Sequence, residues 1–106
     1  MVTITSGRKV TVSAGTAVAL VASTQPVSAI VVTAEEDNTG DIVLGDSAID
    51  ETPATRAGHL LAAGQSVAIN AGENSSGRGM LDIAKLFIDS AVSADGVHWI
   101  AMSGNA

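Results

Sequence analysis

Two histidines and several acidic residues are the side chains of this sequence that could take part in acid–base or metal chemistry. His59 and His98 each lack a second ligand at a zinc-binding spacing, and the sequence contains no HExxH motif. A GxSxG nucleophile motif is absent as well. Because a catalytic or metal site needs several converging groups, we expect both histidines to have structural or surface roles and the chain not to be an enzyme.

The acidic residues fall in stretches that we predict to be loops. Glu35, Asp37 and Asp41 share one of these stretches and could offer carboxylate oxygens to a calcium ion. The alternating pattern of an EF-hand loop is missing, and acidic loops are common in acidic proteins. We therefore expect solvated carboxylates, with no bound metal and no cofactor.

One glycine-rich stretch, GENSSGRG at 72–79, could be considered for phosphate binding. It lacks the Lys-Ser/Thr ending of a P-loop, and no helix of any length is predicted to follow it. We expect a surface loop there.

Composition narrows the class of protein further. The chain has 106 residues, a net charge of −6, one Phe, one Trp, no Tyr and no Cys, and 46% of its residues are hydrophobic. The negative charge argues against nucleic-acid binding, and no apolar run is long enough to span a membrane. The start of the chain shows no pattern of a secretion signal. The mean hydropathy of +0.37 is high for a small domain, which favours an oligomer or a bound partner.

Short runs rich in Val, Ile and Thr, separated by glycine-containing turns, predict an all-β protein. We predict one small single domain over 1–106, a β-sandwich of jelly-roll-like type with seven or eight short antiparallel strands, with a closed barrel as the alternative. The predicted strands cover 8–13, 16–22, 27–34, 41–44, 66–70, 86–90 and 97–102, with a brief apolar contact at 60–61 and one helical turn within 80–85. The Asp95-Gly96 pair predicts a hairpin, and residues 1–7 are expected to form an unpaired, extended N-terminal arm.

Two of the predicted strands, 27–34 and 97–102, are apolar on both faces, so they need cover on both sides, from this chain or from a partner. Trp99 is a candidate anchor for such a partner, because a buried Trp often dominates contact energy. Equally, the same residues could fill the core. The candidate interface residues are Ile30, Val32, Phe87, Ile88, Trp99 and Ile100.

Several turn and strand motifs follow one another in an order that is familiar. They are a Gly-x-x-x-x-Gly strand at 40–45, a Leu-x-x-Gly-x-Ser turn at 61–66, a Leu/Ile-rich strand ending in Asp at 86–89, and the Asp95-Gly96 pair. In this order the chain resembles small β-rich proteins encoded among bacteriophage virion genes.

The resemblance implies a non-enzymatic structural protein of a phage particle, most simply a cement or decoration protein on the outer surface of the head. Its partners would be the major capsid protein and further copies of itself, as a dimer or trimer, with no nucleic acid and no membrane. A neck, tail or baseplate component and a host-surface binding module are the alternatives. Only Trp99 and Phe87 could stack on a sugar, which disfavours a lectin.

Overall fold

The computed structural model describes residues 2–71 and 81–104. These residues form ten strands and one short 3-10 helix, which lies within the stretch 80–85 where one helical turn is predicted. The strands are β1 (Val2–Val10), β2 (Val18–Ala19), β3 (Pro26–Val27), β4 (Ala29–Ala34), β5 (Ile42–Gly45), β6 (His59–Leu61), β7 (Ser66–Asn70), β8 (Leu81–Asp82), β9 (Phe87–Ser90) and β10 (Gly96–Gly104), with the 3-10 helix at Ile83–Lys85 between β8 and β9.

Eight of the strands build two four-stranded antiparallel sheets. Sheet I has the order β1-β10-β4-β7 and sheet II the order β2-β9-β5-β6, while β3 and β8 form a small separate pair. Without that small pair, the first strand is bonded to the last, the second to the second-last, and so on inward to β5 and β6. This nested pairing is the jelly-roll arrangement of two sheets, so the predicted fold class is confirmed.

The core lies between the two sheets, because alternate residues of each strand point to opposite faces. In β4, Ile30, Val32 and Ala34 are buried, whereas Val31 between them is exposed. Both sheets contribute to one cluster of buried side chains, which comprises Leu20, Val27, Ile30, Val32, Ala34, Ile42, Leu44, Leu61, Ile83, Leu86, Ile88, Val97, Trp99 and Ala101.

The first strand differs from the prediction. Residues 2–7 do not form an unpaired arm; they are the first part of β1, which is bonded to β10 along its whole length. The reason is that β10 runs from Gly96 to Gly104, past the predicted 97–102, and offers pairing partners to the whole of Val2–Val10. Met1 lies outside the described residues.

The expected hairpin at Asp95-Gly96 is also wrong. The strands on either side, β9 and β10, belong to different sheets, so this turn carries the chain from sheet II to sheet I. Gly96 is needed for close packing: a Cβ there would lie 2.5 Å from the backbone oxygen of Lys9 and 2.9 Å from Oε1 of Glu35. The Asp95-Gly96 pair therefore predicts the turn correctly, but the strands that it joins do not pair with each other.

The two sheets differ in what covers their outer faces. On sheet II, Val43 points away from the core and is still only 1% exposed. The segment 46–58 folds over it, because a Cβ on Gly58 would meet both Val43 and the side chain of Ile49. No comparable segment covers the outer face of sheet I in the described part of the chain, where several large apolar side chains stay exposed.

Candidate interaction surface

Four apolar side chains lie side by side on the outer face of sheet I, and we call Ile4, Val31, Ile100 and Met102 the outer patch. Their exposed fractions are 56%, 38%, 51% and 42%, respectively. Ile4 lies directly opposite Met102 in the β1–β10 register, and Ile100 lies directly opposite Val31 in the β10–β4 register. Together with Ala29 they border a shallow apolar groove.

The outer patch is a direct result of period-two alternation in strands that are apolar on both faces. In β10, Val97, Trp99 and Ala101 face the core, which leaves Ile100 and Met102 on the other side. The largest exposed apolar patch on a monomeric protein is often a functional site. The outer patch is accordingly the strongest candidate for a binding surface.

A row of polar side chains crosses the outer face next to the outer patch. Arg8, His98, Thr33 and Ser66 follow one another across the four strands of sheet I. The Nε of Arg8 donates to both carboxylate oxygens of Glu35, at 3.1 and 2.9 Å, and this contact raises the pKa of the Arg8 guanidinium. The hydroxyls of Thr33 and Ser66 are hydrogen-bonded at 2.7 Å. The face thus has an apolar half and a polar half.

The six predicted interface residues do not lie together. Ile30, Val32, Ile88 and Trp99 are buried in the core, so they are not available to a partner. Phe87 is partly buried on β9, and the alternation that turns Ile88 inward directs it to the outer side of sheet II. The four buried residues are corrections to the predicted surface, while an interface role for Phe87 stays a prediction.

Ile100 alone of the six belongs to the outer patch. The sequence indicates apolar residues on both faces of β4 and β10, but apolarity alone does not show which face is the buried one. With Trp99 assigned to the core, strict alternation along the strand places Ile100 and Met102 on the opposite face. Ile4 was missed because its segment was interpreted as a polar, unpaired arm.

The buried acidic residues fix loops. The Asp95 carboxylate accepts hydrogen bonds from the backbone N–H groups of Thr39 at 3.0 Å and Gly40 at 2.7 Å. Asp89 Oδ1 accepts from the backbone N–H of Gly15 at 3.0 Å, and also from that of the next residue in β9 at 2.8 Å. Each carboxylate ties a loop to the end of a strand, which is a structural role.

Two further aspartates hold turns in the same way. Asp82 caps the 3-10 helix, and the hydrogen bonds it accepts from the backbone N–H groups of Gln25 and Ala84 lower its pKa. The pKa of Asp50 is lowered chiefly by the hydroxyl of Thr55 and then by the backbone of Thr52. A hydrogen bond to the charged form favours that form.

The candidate chemical groups of the sequence do not converge in the described part of the chain. No group of three His, Cys, Asp or Glu side chains in it is placed to hold a metal ion. Glu35, one of the acidic residues considered for calcium, forms an ion pair with Arg8. His59 on β6 and His98 on β10 are both exposed and belong to different sheets. The glycine-rich stretch 72–79 lies outside the described residues.

Comparison with known proteins adds no relative. No protein-family model, no curated protein and no solved structure matches this chain. Within the described residues, no helix has the length and apolar character needed to cross a membrane.

Proposed function

We propose that this protein is a structural component of a bacteriophage particle, a cement or decoration protein that binds the outside of the head and bridges neighbouring shell subunits. The observation that carries the proposal is the outer patch, an apolar surface open to solvent on one face of a well-filled sandwich. The jelly roll adds support, because it is a common architecture of viral capsid domains. The order of turn motifs described above is a further, independent support.

The size of the outer patch suits a protein present in many copies. Four partly exposed side chains offer on the order of a few hundred Å² of apolar contact. A stable interface of standard size needs about 800 Å² from each partner, so one copy would bind weakly. On a symmetric shell, linked contacts add by multivalency, and weak contacts become sufficient. A net charge of −6 also limits adhesion to DNA and between particles.

The first prediction concerns the outer patch directly. Ile100→Asp places a charge in the middle of the patch and should weaken binding to shells that lack this protein by tenfold or more, which corresponds to about 1.4 kcal/mol. Co-sedimentation of the purified protein with such shells measures the effect. Stability should change little, because Ile100 is 51% exposed.

Val12→Asp is the matched control. Val12 is also an exposed apolar residue, at 83%, but it follows β1 and does not border the groove of the outer patch. It should bind shells like the wild type. If Ile100→Asp binds as well as Val12→Asp, the outer patch is not the docking surface. If the wild type binds isolated tails or host cells and not shells, the neck, tail, baseplate or receptor alternatives replace the head.

A further inference from the structure

The first strand leaves an unusually long open edge on sheet I. β1 has nine residues and, among the described strands, β10 is its single neighbour. The other open edges are shorter, with five residues in β7, three in β6 and two each in β2, β3 and β8. Proteins protect sheet edges by keeping them short or by placing charge or proline on them, and residues 2–7 of β1 have neither charge nor proline.

The hydrogen-bonding pattern shows which backbone groups face this edge. Thr11 N–H donates to the Asp95 oxygen at the end of the β1–β10 ladder, at 2.9 Å. Because bonded and non-bonded pairs alternate along an antiparallel ladder, the odd-numbered residues of β1 are the ones bonded to β10. The N–H and C=O groups of Ile4 and Ser6 therefore point outward, away from β10, and no described residue is hydrogen-bonded to them.

We propose that this edge pairs with the same edge of a second copy of this chain, antiparallel and across a twofold axis at Ile4. An antiparallel strand pair is self-complementary under twofold symmetry, so one uncharged edge serves both partners. This register places Ile4 opposite Ile4 of the other copy, Thr3 opposite Thr5, and residue 2 opposite Ser6. Threonine pairs of this kind are favourable between strands.

Charge selects this register over its neighbours. An axis at Ile4 leaves Arg8 and Lys9 beyond the paired stretch. An axis at Thr5 would instead set Arg8 opposite residue 2, and an axis at Ser6 would set it opposite the apolar Ile4. Arg8 is already held by Glu35. The pairing also covers part of Ile4, which is 56% exposed, and joins the two outer patches into one apolar strip on a continuous sheet of eight strands.

Hydrogen exchange measured by NMR tests this pairing in the wild-type protein. Sedimentation velocity first measures the dissociation constant of the dimer, which for so small an interface should be weak but below about 1 mM. As the dimer forms, the amides of Ile4 and Ser6 should exchange at least tenfold more slowly, while the amide of Arg8 should not change. A chain that stays monomeric to that concentration overturns the proposal, and so does a dimer in which the Ile4 and Ser6 amides remain unprotected.

Two proline variants provide a matched comparison. Ser6→Pro removes an outward N–H from β1 and spares the bonds to β10, so it should abolish the dimer. Ala68→Pro removes an outward N–H from β7, the other edge of sheet I. The Ala34 N–H donates to the Gln65 oxygen, so the odd-numbered residues of β7 are the ones bonded to β4, and the Ala68 N–H points outward. This variant should leave the dimer intact. Equal dimerisation by the two variants would contradict the pairing. If Ser6→Pro does not fold, the hydrogen-exchange measurement on the wild-type protein tests the pairing without it.

Discussion

At the scale of single residues, the contact between Gly7 and Trp99 shows how a residue without a side chain makes room for a large one. Trp99 is 7% exposed, and a Cβ on Gly7 would overlap the six-membered ring of its indole. Glycine in a strand often marks such a close approach. The indole, considered at first as a contact for a partner, therefore fills space beside β1 in the core.

A double-mutant cycle tests this contact. Trp99→Ala should reduce the free energy of unfolding by about 3–5 kcal/mol through loss of buried volume. Gly7→Ala should cost about 1–3 kcal/mol by overpacking against the ring, and this cost should vanish when Trp99 is already Ala. Urea unfolding of the three variants measures the coupling. Additive effects would show that Gly7 does not make room for the indole.

At the scale of elements, buried carboxylates hold the loops that join the two sheets. Asp95 is 6% exposed, and its two oxygens bind the backbone of the loop between β4 and β5. Because its turn links β9 in one sheet to β10 in the other, this contact fixes the position of a loop relative to both sheets.

Removal of the Asp95 carboxylate should destabilise the fold clearly. Asp95→Ala leaves the N–H groups of Thr39 and Gly40 without their acceptor, and we expect a loss of about 3 kcal/mol in the free energy of unfolding. Asp37→Ala, an exposed carboxylate in the same loop, is the control and should stay within about 0.5 kcal/mol of the wild type. A comparable loss in the two variants would mean that the Asp95 hydrogen bonds do not stabilise the loop.

The sequence predicts some elements well and others poorly, for physical reasons. Alternation marks β7 over 66–70 correctly, since one side of that strand is partly buried and the other is exposed. The sequence does not predict the start of β1, because Thr and Ser make its composition polar and its pairing partners lie more than ninety residues away in the chain. The Asp95-Gly96 turn was assigned to a hairpin because local sequence does not encode which sheet the next strand joins.

At the scale of the whole molecule, the class of fold was predictable and the arrangement of its faces was not. Strand-rich patterning and regular turns indicate a sandwich, and the nested strand order gives it jelly-roll form. Which apolar residues stay outside depends on what covers each sheet. Segment 46–58 covers Val43 on sheet II, whereas Val31 and Ile100 on sheet I have no such cover in the described part of the chain. A binding surface on sheet I, outside the core, is what the proposed role on a shell requires.

The most direct test of that role is to count the copies of this protein in purified particles of a phage whose genome carries this sequence, by quantitative gel densitometry against the major shell protein. A cement protein bound across the head lattice should be present in a number comparable to the shell protein. A copy number equal to a small multiple of the rotational symmetry of the tail would instead indicate the neck, tail or baseplate. Its complete absence from the particle would contradict a structural role in the virion.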